Sequence, residues 1–470
     1  MILTSLRHTL IWLTPLLATA AGWLAHRSGL PAPASITLAI GLLTAIWWMT
    51  EAVPIGAASL VPIALLPLFG ILKDKTDVAQ SYGHPLILLL MGGFLLSKGM
   101  EKSGVHRRLA LAMVRLCGGN GGRGLVLGFM LASAILSMWI SNTATCLMLL
   151  PIALAVLDGA KTEDATTSHL AAPLMLGIAF ASNIGGVGTP IGTPPNLVFI
   201  EQYQQTTGKL VTFSGWMKIG LPIIITLLPL MWLWLTRHVG CGNRLKLPQC
   251  GPWSAAEVRT LAVFAFTALA WITRSEPNGG WSQWLNLTGA NDASVAFVGV
   301  LLMFAIPDGT GRAGPEGRLL DWENAARIPW GILLLFSGGI CLATGFEKSG
   351  LSGTVAGLLS GVGSLPTWAV ILTVCLVMTF LTELTSNTAS TILMMPILAA
   401  AGLAAGVDPI YLMLPAAISA SCAFMLPVAT GPNAVVFASG HFPVARMARE
   451  GFVLNLIAAA VVTFWVWLLG

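Results

Sequence analysis

The chain has 470 residues, of which 56% are hydrophobic and only 9% charged, and its mean hydropathy is +0.82. A water-soluble protein of this length would need far more charge to cover its surface, whereas lipid accepts an apolar exterior and penalises charge, so the bilayer is the solvent. The net charge of +5, from 24 Lys and Arg against 19 Asp and Glu, does not point to nucleic acid, because the cations lie between apolar segments and form no basic face.

At roughly 20 apolar residues per span, continuous membrane segments are predicted near 9–25, 35–50, 52–72, 84–100, 215–236, 255–273, 293–307, 329–346 and 449–469. The first 25 residues, with Arg7 and His8 ahead of an apolar run, fit a signal peptide or a retained first helix, and we read them as the helix. Four further apolar stretches, 124–157, 171–200, 367–402 and 409–440, are interrupted by Ser, Asn, Thr, Gly and Pro. Irregular backbone at membrane depth is tolerated only where protein or a polar cavity surrounds it, so broken segments point to a binding site. Cys117, Cys146, Cys241, Cys250, Cys341, Cys375 and Cys422 form no C-x-x-C pair and read as small packing residues.

The chain repeats itself. GGFLLSKGMEKSG at 92–104 answers to GGICLATGFEKSG at 338–350, an offset of 246, and SNTATCLMLLPIA at 141–153 answers to SNTASTILMMPIL at 386–398, an offset of 245. Thr193-Pro194-Pro195-Asn196 then matches Thr430-Gly431-Pro432-Asn433 at an offset of 237, the difference being absorbed by the polar stretch 158–170, which is shorter near 403–409. Three matched blocks in one order indicate a duplication. Positions 98–123 hold Lys98, Lys102, Arg107, Arg108, Arg115 and Arg123 against Glu101 alone, as a cytoplasmic loop does, whereas 344–366 holds only Lys348 and Glu347. One half is therefore inverted relative to the other.

These features predict an all-α polytopic membrane protein with about 11 transmembrane helices, two re-entrant helical hairpins and an inverted five-plus-five repeat. Residues 1–33 form an extra N-terminal helix. Residues 34–240 form the first repeat, with its hairpin at about 124–157 and broken helix at about 171–200. Residues 255–470 form the second, with the corresponding parts at about 367–402 and 409–440. Loop charges fit a cytoplasmic N-terminus, and the expected location is the cell (inner) membrane.

The hairpin tips read Ser141-Asn142-Thr143 and Ser386-Asn387-Thr388. Hydroxyls and carboxamides both donate and accept. At a helix break, free N–H groups attract an anion, while free carbonyls and hydroxyl oxygens ligate a hard cation. Small polar residues in membrane helices more often serve close packing. Four clusters matched pairwise favour a site, as does the cost of burying Asn142 and Asn387 without partners. The G-x-G-x-x-G matches at Gly119–Gly124 and Gly309–Gly314 follow no strand and read as loop glycines. The sequence carries no zinc-protease, Walker or nucleophile-elbow motif, and no loop is long enough to fold as a catalytic or sensing domain, which speaks against an enzyme.

Paired SNT hairpins, each followed by a G-[ST]-P-P-N type segment, together with TEAVP at 50–54, resemble the divalent anion/sodium symporter family over nearly the whole chain. The resemblance implies import of a di- or tricarboxylate of the succinate, malate, fumarate or citrate type, coupled to sodium ions. It also implies a homodimer in which one part of each subunit slides like an elevator against a scaffold. Mapped onto matching positions, it implies Ser137, Ser141, Asn142 and Gly192 for one sodium ion, and Thr382, Thr385, Asn387 and Ala429 for another. Substrate contacts would come from Asn142, Thr143, Thr193, Ser386, Asn387, Thr388 and Thr430. Sulfate or another inorganic anion, proton coupling and dicarboxylate exchange remain alternatives within the same architecture. Gly431 departs from the family's T-P-P-N, which bears on substrate preference. Glu383, whose repeat counterpart is Met138, reads either as a structural partner of backbone or hydroxyl groups, which we favour, or as a proton carrier.

Overall fold

The structure, a computed structural model, describes residues 2–117, 121–160, 170–240, 251–276, 279–287, 289–312, 314–358 and 366–469. Gly119, the polar stretch 161–169, Cys241 and Cys250 with their basic loop, and residues 359–365 lie outside the described residues. The described chain is helical, with only an isolated bridge between Pro307 and Arg318. Nine helices among the described residues are long and apolar enough to cross a membrane, and several shorter apolar helices lie among them.

The expected 52–72 span is not continuous. Pro54 starts a four-residue helix, Ile55–Ala58, and a second helix, Leu60–Leu68, follows Ser59. The apolar run carries Pro54, Pro62 and Pro67, which remove backbone donors. Its entry is strained as well: Glu51, the C-cap of Ala32–Thr50, is left-handed at φ 48°. Gly309, Gly311 and Gly314 take φ of +86°, +76° and +83°, turn conformations that suit glycine in a loop.

The repeated GGFLLSKGMEKSG motif is a packing device. Gly92 and Gly99 on Pro85–Ser103 lie against Ala296 and Met303 on Asp292–Ala305; a Cβ on Gly92 would stand 2.5 Å from Ala296 Cβ. Their repeat partners Gly338 and Gly345, on Trp330–Lys348, lie against Ser59 and Leu66, and a Cβ on Gly338 would stand 2.5 Å from Ser59 O. Each motif helix thus crosses a helix of the other half, with small residues letting the backbones approach.

Gly122–Ser137 and Asn142–Ala160 form the first hairpin, broken at 138–141. Gly122 lies beside Leu170, where the next helix begins, so the hairpin enters and leaves on one face. That next helix, Ala171–Gly185, breaks at 186–193 and resumes as Pro194–Thr207, with proline at the start and Gly208 in a left-handed C-cap. It ends on the opposite face, where Tyr203 and Lys209 reach Asp408. From that face Ile410–Ser419 runs inward to the second break, 420–430. The second hairpin, Thr367–Thr382 and Asn387–Ala405, brings its tip residue Glu383 to the same break. The two hairpin tips therefore come together beside both breaks.

Arg123 donates to the carbonyls of Thr236 and Val239, Arg108 pairs with Glu257 at 2.9 Å, and Lys102 pairs with Asp321 at 2.7 Å. These cations gather on the face from which the first hairpin enters. Cys146, Cys341, Cys375 and Cys422 are buried free thiols, in keeping with a packing role.

Candidate functional site

The two tips and two breaks surround one cavity of about 730 Å³. Its lining includes Ser141, Asn142, Thr143, Gly192, Thr193, Thr385, Ser386, Asn387, Thr388, Ala429 and Thr430. Ser137 and Thr382 do not line it; both are fully buried one turn behind the tips. Of the residues expected to meet ion or substrate, the fold thus brings eleven to one space and leaves two behind its wall.

On the first side, Ser137 Oγ donates to Asn142 Oδ1 at 2.5 Å, fixing that carboxamide's orientation. A Cβ at Gly186 would stand 3.0 Å from both Asn142 Oδ1 and Gly192 O, so a side-chain and a main-chain oxygen converge on a space that only glycine leaves open. On the second side, Thr382 Oγ1 donates back to its own helix, at 3.0 Å from Met378 O and 3.1 Å from Thr379 O. Thr385 Oγ1 lies 2.7 Å from Leu381 O and 2.6 Å from Ser390 Oγ. Asn387 Oδ1 is buried with no hydrogen-bond partner among the described residues. An orphaned acceptor at that depth is costly unless a ligand completes it. The donor set is hydroxyl, carboxamide and backbone oxygen, which suits a hard monovalent cation. No cluster of His, Cys, Asp and Glu fit for a transition metal occurs among the described residues.

Each break is clamped by one asparagine. Asn196 Nδ2 donates to Gly186 O at 2.9 Å and Thr189 O at 2.8 Å. Its repeat partner Asn433 donates to Ala423 O and Leu426 O, both at 3.0 Å. Both carboxamides tie a loop of free backbone to the helix that follows it, and both are fully buried.

Glu383 is an anchor. Its Oε1 accepts from Phe424 N at 2.8 Å, Met425 N at 2.9 Å and Asn455 Nδ2 at 2.8 Å, and its Oε2 from Leu426 N at 3.0 Å. Every one of these partners donates, so both carboxylate oxygens are engaged as acceptors. Met138, at the matching place, accepts from Thr189 Oγ1 through its carbonyl and packs its side chain beside Gly188.

Several lining residues were not anticipated. Trp139 at the first tip stacks on Phe213 and Trp271 and meets Phe264 edge-on at 5.3 Å, docking the tip against neighbouring helices. Lys98, Glu101, Glu51 and Arg327 border the cavity toward the cation-rich face, with Lys98 paired to Glu101 at 2.6 Å. The broken segments themselves contain no Lys, Arg or His, yet the cavity as a whole is not free of cations. Asn183, 2% exposed on Ala171–Gly185, also lines it. The argument that flagged Asn142, a carboxamide in an apolar run, applied equally to Asn183.

Comparison with known proteins adds the following. A family model described as "Sodium:sulfate symporter transmembrane region" matches residues 8–470. The chain is 38% identical over 450 residues to a Staphylococcus saprophyticus protein named sodium-dependent dicarboxylate transporter SdcS, covering 92% of this chain and 85% of that one. A Staphylococcus aureus protein of the same name is 38% identical over 455 residues, covering 93% and 86%. Among solved structures, the YdaH transporter of Alcanivorax borkumensis matches with a TM-score of 0.59 at 14% identity, over 93% of this chain and 99% of that one. MtrF of Neisseria gonorrhoeae, titled an antimetabolite efflux pump, matches with a TM-score of 0.61 at 15% identity, over 94% and 96%. At such identities these two bear on the fold alone.

Proposed function

The chain belongs to the sodium:sulfate symporter family, the divalent anion/sodium symporters that its motifs resemble, and from that premise we propose that it carries a di- or tricarboxylate into the cell together with sodium ions. The observation that carries this reading is the single cavity where two Ser-Asn-Thr tips meet two helix breaks, lined by hydroxyl- and carboxamide-bearing residues at the starts of helices. Such a site takes an anion and hard cations side by side. In this reading Ser137, Ser141, Asn142 and Gly192 serve one sodium ion, and Thr382, Thr385, Asn387 and Ala429 the other. Asn142, Thr143, Thr193, Ser386, Asn387, Thr388 and Thr430 meet the substrate. Ser137 and Thr382 act from behind the lining.

The names of the staphylococcal relatives favour a dicarboxylate over sulfate. Glu383 favours sodium over proton coupling, because its oxygens are taken up by four donors. The reading extends to repeats at 34–240 and 255–470, an elevator motion and a homodimer. The cavity reaches toward the face where Lys98, Lys102, Arg108 and Arg123 lie, which supports an inward-open state with a cytoplasmic N-terminus in the inner membrane. The test is uptake of labelled succinate, citrate and sulfate into proteoliposomes with and without an inward sodium gradient. Sodium-driven succinate uptake is expected; sulfate uptake alone, or uptake indifferent to sodium, would overturn the reading.

A further inference from the structure

The hydrogen-bond chain behind Thr430 has a direction that can be read atom by atom. Asn433 Nδ2 donates to two carbonyls, Ala423 O and Leu426 O. A carbonyl only accepts, so this end of the carboxamide is the NH2 and the other end is the oxygen. Asn433 Oδ1 faces Asn183 Nδ2 at 3.2 Å, and an oxygen there requires a donor from Asn183. The same Asn183 Nδ2 stands 3.0 Å from Thr430 Oγ1 and gives its second hydrogen to it. Thr430 Oγ1 also accepts from Asn433 N at 3.2 Å, as the N-cap of Gly431–Phe437. With two donors on its lone pairs, the hydroxyl has only its own hydrogen left to offer, and Thr430 lines the cavity.

Two buried loop carbonyls thus fix, through two asparagines, which way one hydroxyl hydrogen points. Thr193, the counterpart of Thr430 in the first repeat, makes no side-chain cap bond, and Asn196 Oδ1 is left without a partner among the described residues. Among the described residues the orienting chain exists on the second side only. It also crosses between repeats, since Asn183 belongs to the first and Thr430 to the second.

We propose that Asn183 is a positioning residue for substrate recognition: it holds the Thr430 hydroxyl as an obligate donor toward the cavity, where it meets a substrate carboxylate. A hydroxyl preset as donor to a carboxylate makes a charge-assisted bond without first giving up another partner. The inference rests on Thr430 contacting an anionic substrate, as in the function proposed above. It goes further in making recognition at the second break depend on a side chain of the first.

The test is a mutant cycle of Asn183→Ala and Thr430→Val, read as succinate KM and sodium half-saturation in proteoliposomes. Each single variant should raise succinate KM by roughly tenfold or more, the range for a lost charge-assisted bond. Sodium half-saturation at saturating succinate should move much less. In the Thr430→Val background, Asn183→Ala should add little further, since the hydroxyl it orients is gone. Thr430→Ser, which keeps the hydroxyl, should stay near wild type. Unchanged KM in Asn183→Ala, or effects of the two substitutions that multiply, would overturn the proposal. If Asn183→Ala does not purify as a folded protein, the uncharged, near-isosteric Asn183→Leu enters the same cycle under the same criterion of non-additivity. A wild-type protein with no sodium-driven succinate uptake would instead refute the functional reading.

Discussion

Gly431→Ala places a methyl group where the two repeats touch. A Cβ at this position would stand 2.1 Å from Thr143 Oγ1, 3.1 Å from Thr143 Cβ and 3.2 Å from Thr143 Cγ2. Turning the Thr143 side chain exchanges one heavy atom for the other. Only the rotamer that points Hβ at the new methyl clears it, and that rotamer carries the hydroxyl away from its present place. Either the first tip shifts or Thr143 gives up its orientation. Backbone strain plays no part, because Gly431 is not among the glycines with positive φ. Overpacking of this kind costs about 1–3 kcal/mol, which at 1.4 kcal/mol per decade corresponds to a rise of roughly 5- to 150-fold in succinate KM if the strain falls on the bound geometry. The assay is succinate uptake in proteoliposomes at saturating sodium, with thermal unfolding of the purified protein beside it. Combining Gly431→Ala with Thr143→Ala, which leaves only the 3.1 Å approach, should recover the lost thermal stability without restoring the hydroxyl's contribution to KM. Wild-type KM and melting behaviour in Gly431→Ala would refute the reasoning and remove the steric account of why glycine stands here.

Other consequences are as direct. If the proposed ligand sets hold, Asn142→Ala and Asn387→Ala should each abolish most uptake while leaving a folded protein, since each would remove an oxygen shared by ion and substrate; near-normal uptake at saturating sodium would return them to a packing role. Sodium should be required for tight anion binding, because the broken segments bring no cation and helix termini give only about 0.3–2 kcal/mol each, while linkage makes the coupling reciprocal. Calorimetry in sodium and choline buffers of equal ionic strength checks this, and equal affinities would sink it. Glu383→Gln sets an NH2 against a backbone N–H in either orientation, leaving at least one buried donor unmet at a cost of about 1–3 kcal/mol. A lowered melting temperature with sodium dependence retained is expected; a variant of full stability that had lost only a pH dependence of transport would revive proton coupling.

The second half of the site shows how far local signals reach. Ser386, Asn387, Thr388 and Thr430 were found because polar residues inside an apolar run stand out, and because the first half repeats them. Glu383 stood out too, but its role stayed open in the sequence, since a carboxylate in a membrane can anchor or titrate. The structure adds what no local signal carried: three consecutive N–H groups at Phe424, Met425 and Leu426, more than 40 positions away, donate to its carboxylate oxygens. Lys98 and Arg327 were visible as loop cations. That they border the cavity depends on how helices from both halves pack.

By itself the sequence showed the bilayer as solvent, the matched sequence blocks and the four places where helices break. Hydropathy, loop charge and the backbone preferences of Gly, Pro and Asn act over one or a few turns, so they can be read along the chain. Tertiary structure alone decided that both tips and both breaks enclose one cavity, that Ser137 and Thr382 stand behind its wall, and that Asn183 reaches across the repeats to Thr430. Those outcomes depend on which buried donors and acceptors remain unmatched once segments about 250 residues apart have packed, as Asn183 and Asn433 are. Hydrogen-bond direction is then fixed by the requirement that each buried polar group find a partner, a constraint that no single segment carries.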